Sequence, residues 1–223
     1  NASTQQNPKH SYTAVGNYNV SLTVTSSAGC NTSVTQPFVI NGKTPQSLFT
    51  ISGGNQQCSN NQVTVVNNST VDFGNIVKLE IYWDYAIDPT NKTTIVRPIA
   101  GASFGHTYPE FFSPVSKAYN ITVVAYSGVS CLSTSSQILT LKATPEIKFD
   151  PLIGVCANNP SFQTTQASLI NGLPGSGIFS GHGISSSGIF DPSSAGVGTR
   201  TIRYTYTGTN GCVNYKEQPI VVF

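Results

Sequence analysis

Residues 14–30 read AVGNYNVSLTVTSSAGC, and residues 196–212 read GVGTRTIRYTYTGTNGC. The two stretches align without a gap, and they match at Val-Gly, at two threonines and at the closing Gly-Cys. A third copy, AYNITVVAYSGVSC, occupies residues 118–131. Repetition of this kind predicts an array of similar modules, and here it decides the fold.

Each copy alternates apolar and polar residues. In the first copy Val20, Leu22 and Val24 share one face of a predicted strand, and polar residues occupy the other face. Alternation with a period of two is typical of a strand that is buried on one side. A glycine-containing turn follows, and then a cysteine opens the next segment, so each copy predicts a β-hairpin.

The segments between the copies repeat as well. Lys-Thr-Pro at 43–45 and Lys-Ala-Thr-Pro at 142–145 indicate strand exits into short linkers, because proline cannot donate to a strand ladder. Cys-x-Asn-Asn follows at 58–61 and again at 156–159. The repeat predicts a middle module (residues 44–143) and a third module (residues 144–223). A first module is represented by its C-terminal strands alone (residues 1–43), with its other half expected upstream.

Composition agrees with an all-β chain. Only 9% of the residues are charged, and the chain has 20 glycines and 13 prolines. A net charge of +2 gives no footprint for nucleic acid. The longest apolar runs are far shorter than the roughly 20 residues that span a bilayer, so we expect no membrane insertion. Because methionine is absent, we interpret the sequence as a mature or excised piece of a secreted protein.

Five cysteines in such a chain favour disulfides over a metal site. Pairing within each module predicts Cys58–Cys131 and Cys156–Cys212, worth about 4 kcal/mol each in the chain-entropy account. Cys30 is then left unpaired by truncation. A second arrangement stays open, because the paired positions lie at opposite ends of a plain immunoglobulin topology. In that arrangement some bonds run between neighbouring modules.

The middle module contains the clearest single strand. Val77 to Tyr85 alternate, which places Trp83, the one tryptophan, on the buried face. His10 and His106 are repeat-equivalent, and so are Tyr18 and Tyr119. A residue type at one position in two modules indicates a structural contact at a turn or corner, so these five residues are predicted to be structural.

These residues resemble the PKD domain family. Tyr82-Trp83-Asp84-Tyr85, then His106-x-Tyr108, then Ala118-Tyr119-x-Ile121-x-Val123 follow the family's order, and the first module is similar to its tail. The third module, with Gly177–Ile184 and Gly188-Ile-Phe-Asp-Pro192, is similar to repeats of very large Bacteroidota surface proteins. The resemblance implies tandem immunoglobulin-like β-sandwiches and a gliding-type adhesin exported by the type IX system.

Candidate chemical groups are few. Asp84 and Asp88 flank a bend but are too few for a calcium site, which needs six to eight oxygens. His182 lies in a glycine-rich loop without an oriented partner. The glycines of 175–183 suit tight β-turns better than a phosphate cradle, which needs a helix N-terminus. Tyr82, Tyr126, Tyr204 and Tyr206 are either a sugar platform or cross-strand packing.

We therefore expect no enzyme, no cofactor and no metal. The leading expectation is a structural and adhesive segment of an extracellular, cell-surface protein, with neighbouring modules of the same chain as partners and a polysaccharide or cell-surface ligand as a further partner. The alternative is a set of carbohydrate-binding accessory modules of a secreted polysaccharide-degrading enzyme. Short Thr-Pro linkers suggest a semi-rigid rod.

Overall fold

The computed structural model describes residues 2–128 and 130–223. The fold is all-β and immunoglobulin-like, which confirms the predicted class. The strands are β1 (Gly16–Thr25), β2 (Asn31–Ile40), β3 (Phe49–Ser52), β4 (Gln56–Cys58), β5 (Gln62–Asn67), β6 (Lys78–Tyr82), β7 (Lys92–Val96), β8 (Ser103–Thr107), β9 (Ser116–Tyr126), β10 (Leu132–Lys142), β11 (Ile147–Phe149), β12 (Phe162–Gln163), β13 (Ala167–Leu169), β14 (Gly175–Ser180), β15 (Ile189–Phe190), β16 (Gly198–Gly208) and β17 (Val213–Val222).

The repeated sequence forms the predicted hairpin in all three modules. These hairpins are β1–β2, β9–β10 and β16–β17. In the first hairpin Tyr18 lies opposite Phe38 and Leu22 opposite Val34, so one face of this two-stranded sheet is apolar. The side chains of that face remain exposed, Leu22 by 61% and Phe38 by 51%.

The middle module has two sheets. One has the order β4-β10-β9-β6-β7, and the other has the order β3-β5-β8. Strand β4 runs parallel to the end of β10, with Cys58 beside Lys142. Apolar side chains with almost no exposure line both sheets; they are Phe49, Val63, Val65, Leu79, Ile81, Trp83, Ile121, Val123, Ala125, Leu139 and Leu141.

Strand β6 is shorter than the alternation predicts. Leu79, Ile81 and Trp83 are buried as expected, but Val77 and Tyr85 are 36% and 49% exposed. The strand ends at Tyr82 because the backbone turns there, and the Ile87 and Asp88 amides both donate to the Asp84 carbonyl. The indole Nε1 of Trp83 donates to Thr93 Oγ1 at 2.9 Å, so the buried ring keeps a polar partner.

The third module contains a three-stranded sheet with the order β14-β16-β17 and two short two-stranded sheets, β11-β13 and β12-β15. Its core contains Phe149, Phe190, Ala195, Ile202, Ile220 and Val222. Helix α1 (Pro192–Ala195) is a single turn, capped by the Asp191 carboxylate, which accepts from the Ser193 and Ser194 amides. These serine hydrogen bonds hold the pKa of Asp191 at about 2.

The chain divides into two compact units. Unit 1 comprises residues 1–52, 64–104 and 120–137, and unit 2 comprises residues 53–63, 105–119 and 138–223. Unit 1 therefore holds the first hairpin with part of the middle module, and unit 2 holds the rest of the middle module with the third. The module boundaries at 43/44 and 143/144 stay a prediction. No helix in the described part of the chain is long and apolar enough to cross a membrane.

Candidate functional site

The most distinctive site is a disulfide inside unit 2. Cys58, at the end of β4 in the middle module, bonds to Cys212, which precedes β17 in the third module. The two Cα atoms are 5.5 Å apart, and the bond spans 154 positions of sequence. Within residues 2–128 and 130–223 the other cysteines are free: Cys131 is half-buried, and Cys30 and Cys156 are exposed.

The predicted pairs Cys58–Cys131 and Cys156–Cys212 are therefore wrong. Cys58 lies beside Lys142 at the end of β10, whereas Cys131 precedes the start of that strand. A strand of 11 residues is about 35 Å long, far beyond the reach of a disulfide. Cys156 and Cys212 are separated in the same way by the length of β17, because Val155 is bridged to Val222. The observed bond is of the second kind, because Cys58 and Cys212 lie in different modules of the predicted division.

The turn that carries Cys212 contacts the end of β10 and the residue that follows it, Ala143. Asn210 Nδ2 donates to the Ala143 carbonyl at 2.9 Å, and Asn210 Oδ1 accepts from the Cys212 amide at 3.0 Å. Lys142 Nζ donates to the Asn210 carbonyl at 3.3 Å. Cys212 is completely buried. One asparagine thus joins the turn of the third module to the linker of the middle module.

Further side chains tie the same linker to both modules. Asn171 Nδ2 donates to the carbonyls of Thr144 and Phe112, at 2.8 and 3.1 Å. Asn214 Nδ2 donates to Pro145, and Asn60 Nδ2 donates to Val213, each at 3.0 Å. Each net hydrogen bond is worth about 1 kcal/mol. The junction is therefore a polar, directional contact closed by one covalent bond.

A corresponding turn lies in unit 1. The Gly42 amide donates to the Ser127 carbonyl at 3.3 Å, and Ser127 Oγ donates to the Lys43 carbonyl at 2.6 Å. Gly128 lies close to Asn41 in this turn, because a Cβ at that position would be 2.6 Å from Asn41 Oδ1, and the asparagine side chain would have to shift. The turn of the middle module thus rests on the exit of β2, as the turn of the third module rests on the exit of β10.

A groove of about 460 Å³ opens beside this seat. It is mainly apolar and lies entirely within unit 1. Its walls are the start of the first hairpin (Val15–Asn17), the end of β2 with the following residue (Val39–Asn41), Val77 with Lys78, and Tyr126–Gly128.

A charged cluster anchors the strand that enters this turn. Glu80 is 8% exposed and accepts from Tyr126 Oη at 2.6 Å and from Tyr82 Oη at 3.0 Å. Lys92 and Lys78 approach the same carboxylate at 3.1 and 3.4 Å. Burial opposes ionisation, but the hydrogen bonds from Tyr126, Lys92 and the other two groups prevail and lower the pKa of Glu80 to about 2. Burial and the same carboxylate raise the pKa of Tyr126.

The repeat-equivalent aromatic residues take the same geometry in two modules. His10 meets Tyr12 edge-on, with ring centroids 4.6 Å apart, and His106 meets Tyr108 at the same distance. Tyr12 then packs on Tyr18, and Tyr108 on Tyr119, both at 4.3 Å. Burial lowers the pKa of His106. These rings are packing contacts at the base of the hairpin.

The other candidate groups are engaged in turns and packing. Asp88 accepts from Thr90, and Asp84 accepts from the Asn120 amide, so both carboxylates hold backbone around a bend. His182 is exposed. Among the described residues no group of three or more His, Cys, Asp or Glu side chains could hold a metal ion.

The candidate tyrosines and glycines pack against their neighbours. Tyr82 and Tyr126 are held by Glu80. Tyr206 Oη donates to the Leu173 carbonyl at 2.9 Å, and Tyr204 packs on Phe179 at 4.7 Å. Gly177 gives the Tyr204 ring its space, because a Cβ there would lie 1.9 Å from the phenol oxygen.

Sequence reasoning did not find Asn210, Asn171 or Glu80. The signal for Asn210 was its place two residues before a turn cysteine, next to a glycine. No pattern marked Glu80, which reads as an ordinary polar residue on the outward face of β6.

Comparison with known proteins supports the kind of module. A family model described as the PKD domain matches residues 1–41. Among curated proteins none matches the chain.

Some solved structures are similar to this chain at low identity and low TM-score. One is the fibronectin(III)-like modules of Clostridium thermocellum CbhA (16% identity, 78% of this chain and 94% of that chain, TM-score 0.32). Another is a 1.5-MDa bacterial ice-binding adhesin (11%, 92% and 74%, TM-score 0.35). A third is the insect immune protein hemolin (13%, 92% and 56%, TM-score 0.36). The similarity concerns the fold alone.

Proposed function

We propose that this chain is a non-catalytic, tension-bearing segment of a secreted multi-module adhesin at the cell surface, in which cross-linked modules carry tension between an anchor and a distant contact. The observation that supports the proposal is the Cys58–Cys212 bond, which joins two successive modules. A disulfide is typical of proteins outside the reducing cytoplasm.

The position of the bond gives it a mechanical consequence. Tension applied at the two ends enters at Cys58 and leaves at Cys212, so it bypasses the 154 positions between them. Fully extended, those residues would span about 500 Å. While the bond is intact, this length is not released. Strands β3 and β17 lie outside the loop and still carry the load, because β3 precedes Cys58 and β17 follows Cys212.

The remaining parts of the proposal are a cell-surface location, a role in attachment or gliding, and export by the type IX system. The PKD match to residues 1–41 supports an extracellular location. Attachment or gliding and type IX export are supported by the resemblance of the third module to repeats of long surface proteins alone. The alternative, a carbohydrate-binding accessory region, has less support, because the four candidate tyrosines are held in packing and hydrogen bonds.

Single-molecule pulling from residue 2 to residue 223 tests the tension-bearing role. We expect the oxidised chain to release about 500 Å less contour length than the same chain under reductant. The variant Cys30→Ser is the matched control, since Cys30 is exposed and unbonded, and it should behave as the parent. Equal contour lengths with and without reductant would reject the role.

A further inference from the structure

The three hairpin turns share one backbone hydrogen bond to the carbonyl of their cysteine. The Ser26 amide donates to the Cys30 carbonyl at 2.8 Å, Ser127 to Cys131 at 3.0 Å, and Gly208 to Cys212 at 2.8 Å. In each case the donor precedes the cysteine by four residues. We name Cys30, Cys131 and Cys212 the turn cysteines; they occupy one structural position in three successive modules.

Cys58 and Cys156, which we name the early cysteines, are also equivalent. The residue after each donates its amide to the strand at the far end of the same module, Ser59 to Lys142 and Ala157 to Phe223, both at 2.9 Å. Lys142 and Phe223 stand at the same distance from their own turn cysteines. Each early cysteine also accepts from the asparagine three positions later, Asn61 at 3.1 Å and Asn159 at 3.0 Å.

The observed bond joins one cysteine of each kind across a junction. It connects the early cysteine of the middle module to the turn cysteine of the module that follows. Because every cysteine of the chain occupies one of these two positions, the same connection has a defined partner for each free thiol.

We propose that Cys58–Cys212 is one rung of a continuous ladder of disulfides, in which the early cysteine of each module bonds to the turn cysteine of the next. Cys156 then bonds to the turn cysteine of the module after the third. Cys131 bonds to the early cysteine of the first module, and Cys30 to the early cysteine of the module before it. This inference concerns covalent connectivity and holds whether or not the protein is an adhesin.

The groove in unit 1 fits this assignment. Its wall Val39–Asn41 corresponds in the repeat to Thr140–Lys142, the residues that pair with β4 and its cysteine. Its opposite wall includes Ser127 and Gly128 of the turn that carries Cys131. The occupant we assign to the groove is the early strand of the first module, which would bring its cysteine to Cys131 as β4 brings Cys58 to Cys212.

The chemistry of each rung is that of the bond already present. Two thiols lose their protons and form one Sγ–Sγ bond, and the two electrons pass to a disulfide-bearing oxidant, which is reduced to a dithiol. A thiol–disulfide oxidoreductase of an oxidising compartment is the class of oxidant required. The same oxidant is needed for Cys58–Cys212.

The ladder gives interleaved loops. The loop closed by Cys58–Cys212 contains both Cys131 and Cys156, which begin the rungs on either side. Reduction of one rung would therefore release only the segment that the neighbouring rungs do not span.

Peptide mapping of the protein as isolated from its cells, without reductant and with thiols blocked in acid, tests the ladder. We expect the Cys131 peptide to be linked to a peptide from an early-cysteine position upstream, and the Cys156 peptide to a turn-cysteine peptide downstream. The Cys58–Cys212 peptide is the internal control for the preparation, because the structure shows this bond directly.

Other outcomes would overturn the proposal. These are recovery of Cys131 or Cys156 as blocked free thiols while the control peptide is intact, a bond between Cys131 and Cys156, and a bond from either to a small thiol or to a second copy of the chain. The last outcome is recognised because the unreduced protein then has twice the mass of the reduced protein.

Discussion

The turns that carry Cys131 and Cys212 share one backbone hydrogen bond, from Ser127 to Cys131 and from Gly208 to Cys212, and they differ in what secures them. Both rest on the exit of the strand that ends the preceding module, through Gly42 and Lys43 in one case and Ala143 in the other. The second is closed by the Cys58 disulfide, whereas Cys131 in the first is a free thiol among the described residues. A hydrogen-bonded seat is thus present beside the bonded cysteine and beside the free one.

The two turns should also respond to different conditions. The strand that leads into the first turn is held through Tyr126 by the ionised Glu80, and the second turn is held by a disulfide. Acid should thus loosen the first and reductant the second. Substitutions that remove the disulfide, the Glu80 carboxylate or the side-chain hydrogen bonds of a turn test these differences.

The largest effect is expected from removing the disulfide. The double variant Cys58→Ser, Cys212→Ser should lose about 5 kcal/mol in the chain-entropy account for a loop of 154 residues, less any strain in the native bond. Calorimetry of the unreduced protein measures the loss. The matched double variant Cys131→Ser, Cys156→Ser should leave the transition of the 223-residue chain nearly unchanged, and equal losses in the two would contradict the account.

The second prediction concerns Glu80. Because its pKa is lowered from 4.5 to about 2, ionised Glu80 stabilises the folded chain above about pH 4.5, and that stabilisation is lost as the pH falls through about 2. Glu80→Gln should cost about 2–3 kcal/mol at pH 7 and flatten the loss of stability between these pH values. Denaturant unfolding followed by the fluorescence of Trp83 reports on this module.

Glu217→Gln is the control for that experiment, because Glu217 forms a partly exposed surface ion pair with Arg203. It should change stability by less than about 1 kcal/mol. If the free energy of unfolding of Glu80→Gln fell as steeply with decreasing pH as that of the parent chain, the role of Glu80 would be refuted.

The third prediction removes the side-chain support of the disulfide-bonded turn. Asn210→Ala eliminates the bond to Ala143 and the acceptor for the Cys212 amide, so we expect a loss of about 1–3 kcal/mol and faster reduction of Cys58–Cys212 by a mild thiol. Asn158→Ala, at an exposed position, is the control. Unchanged reduction kinetics would show that Asn210 does not seat the turn.

The smallest effect is expected in the other turn. Ser127 is 1% exposed and donates to the Lys43 carbonyl, so Ser127→Ala should cost about 1 kcal/mol. Ser130→Ala, in the same turn but exposed, should be neutral. The Gly42 amide donates to the Ser127 carbonyl, so its hydrogen-exchange rate should rise in Ser127→Ala only. An equal rise in Ser130→Ala would show that the exchange rate does not report on the Ser127 hydroxyl.

Much of the fold could be predicted from the sequence because alternation reports burial directly. Leu79, Ile81 and Trp83 are buried as their spacing predicts, and the three repeated stretches form the three hairpins. The end of β6 could not be predicted, because the turn at Asp84 depends on backbone hydrogen bonds that the alternation of apolar and polar residues does not reveal.

Only part of the candidate site could be predicted from the sequence. The repeat identified the positions of the cysteines but not their partners, because pairing depends on which ends of the strands meet. The length of β10 excludes the bond within the module once its register with Cys58 is known. That register is a tertiary fact, as is the burial of Glu80 against two tyrosines.

The central claim is that neighbouring modules are joined by Cys58 and Cys212. The most direct measurement is mass-spectrometric mapping of the unreduced 223-residue chain, digested in acid to prevent exchange. The account predicts one cross-linked peptide, Cys58 with Cys212, and three blocked thiols at Cys30, Cys131 and Cys156. A Cys58–Cys131 or a Cys156–Cys212 peptide would contradict it.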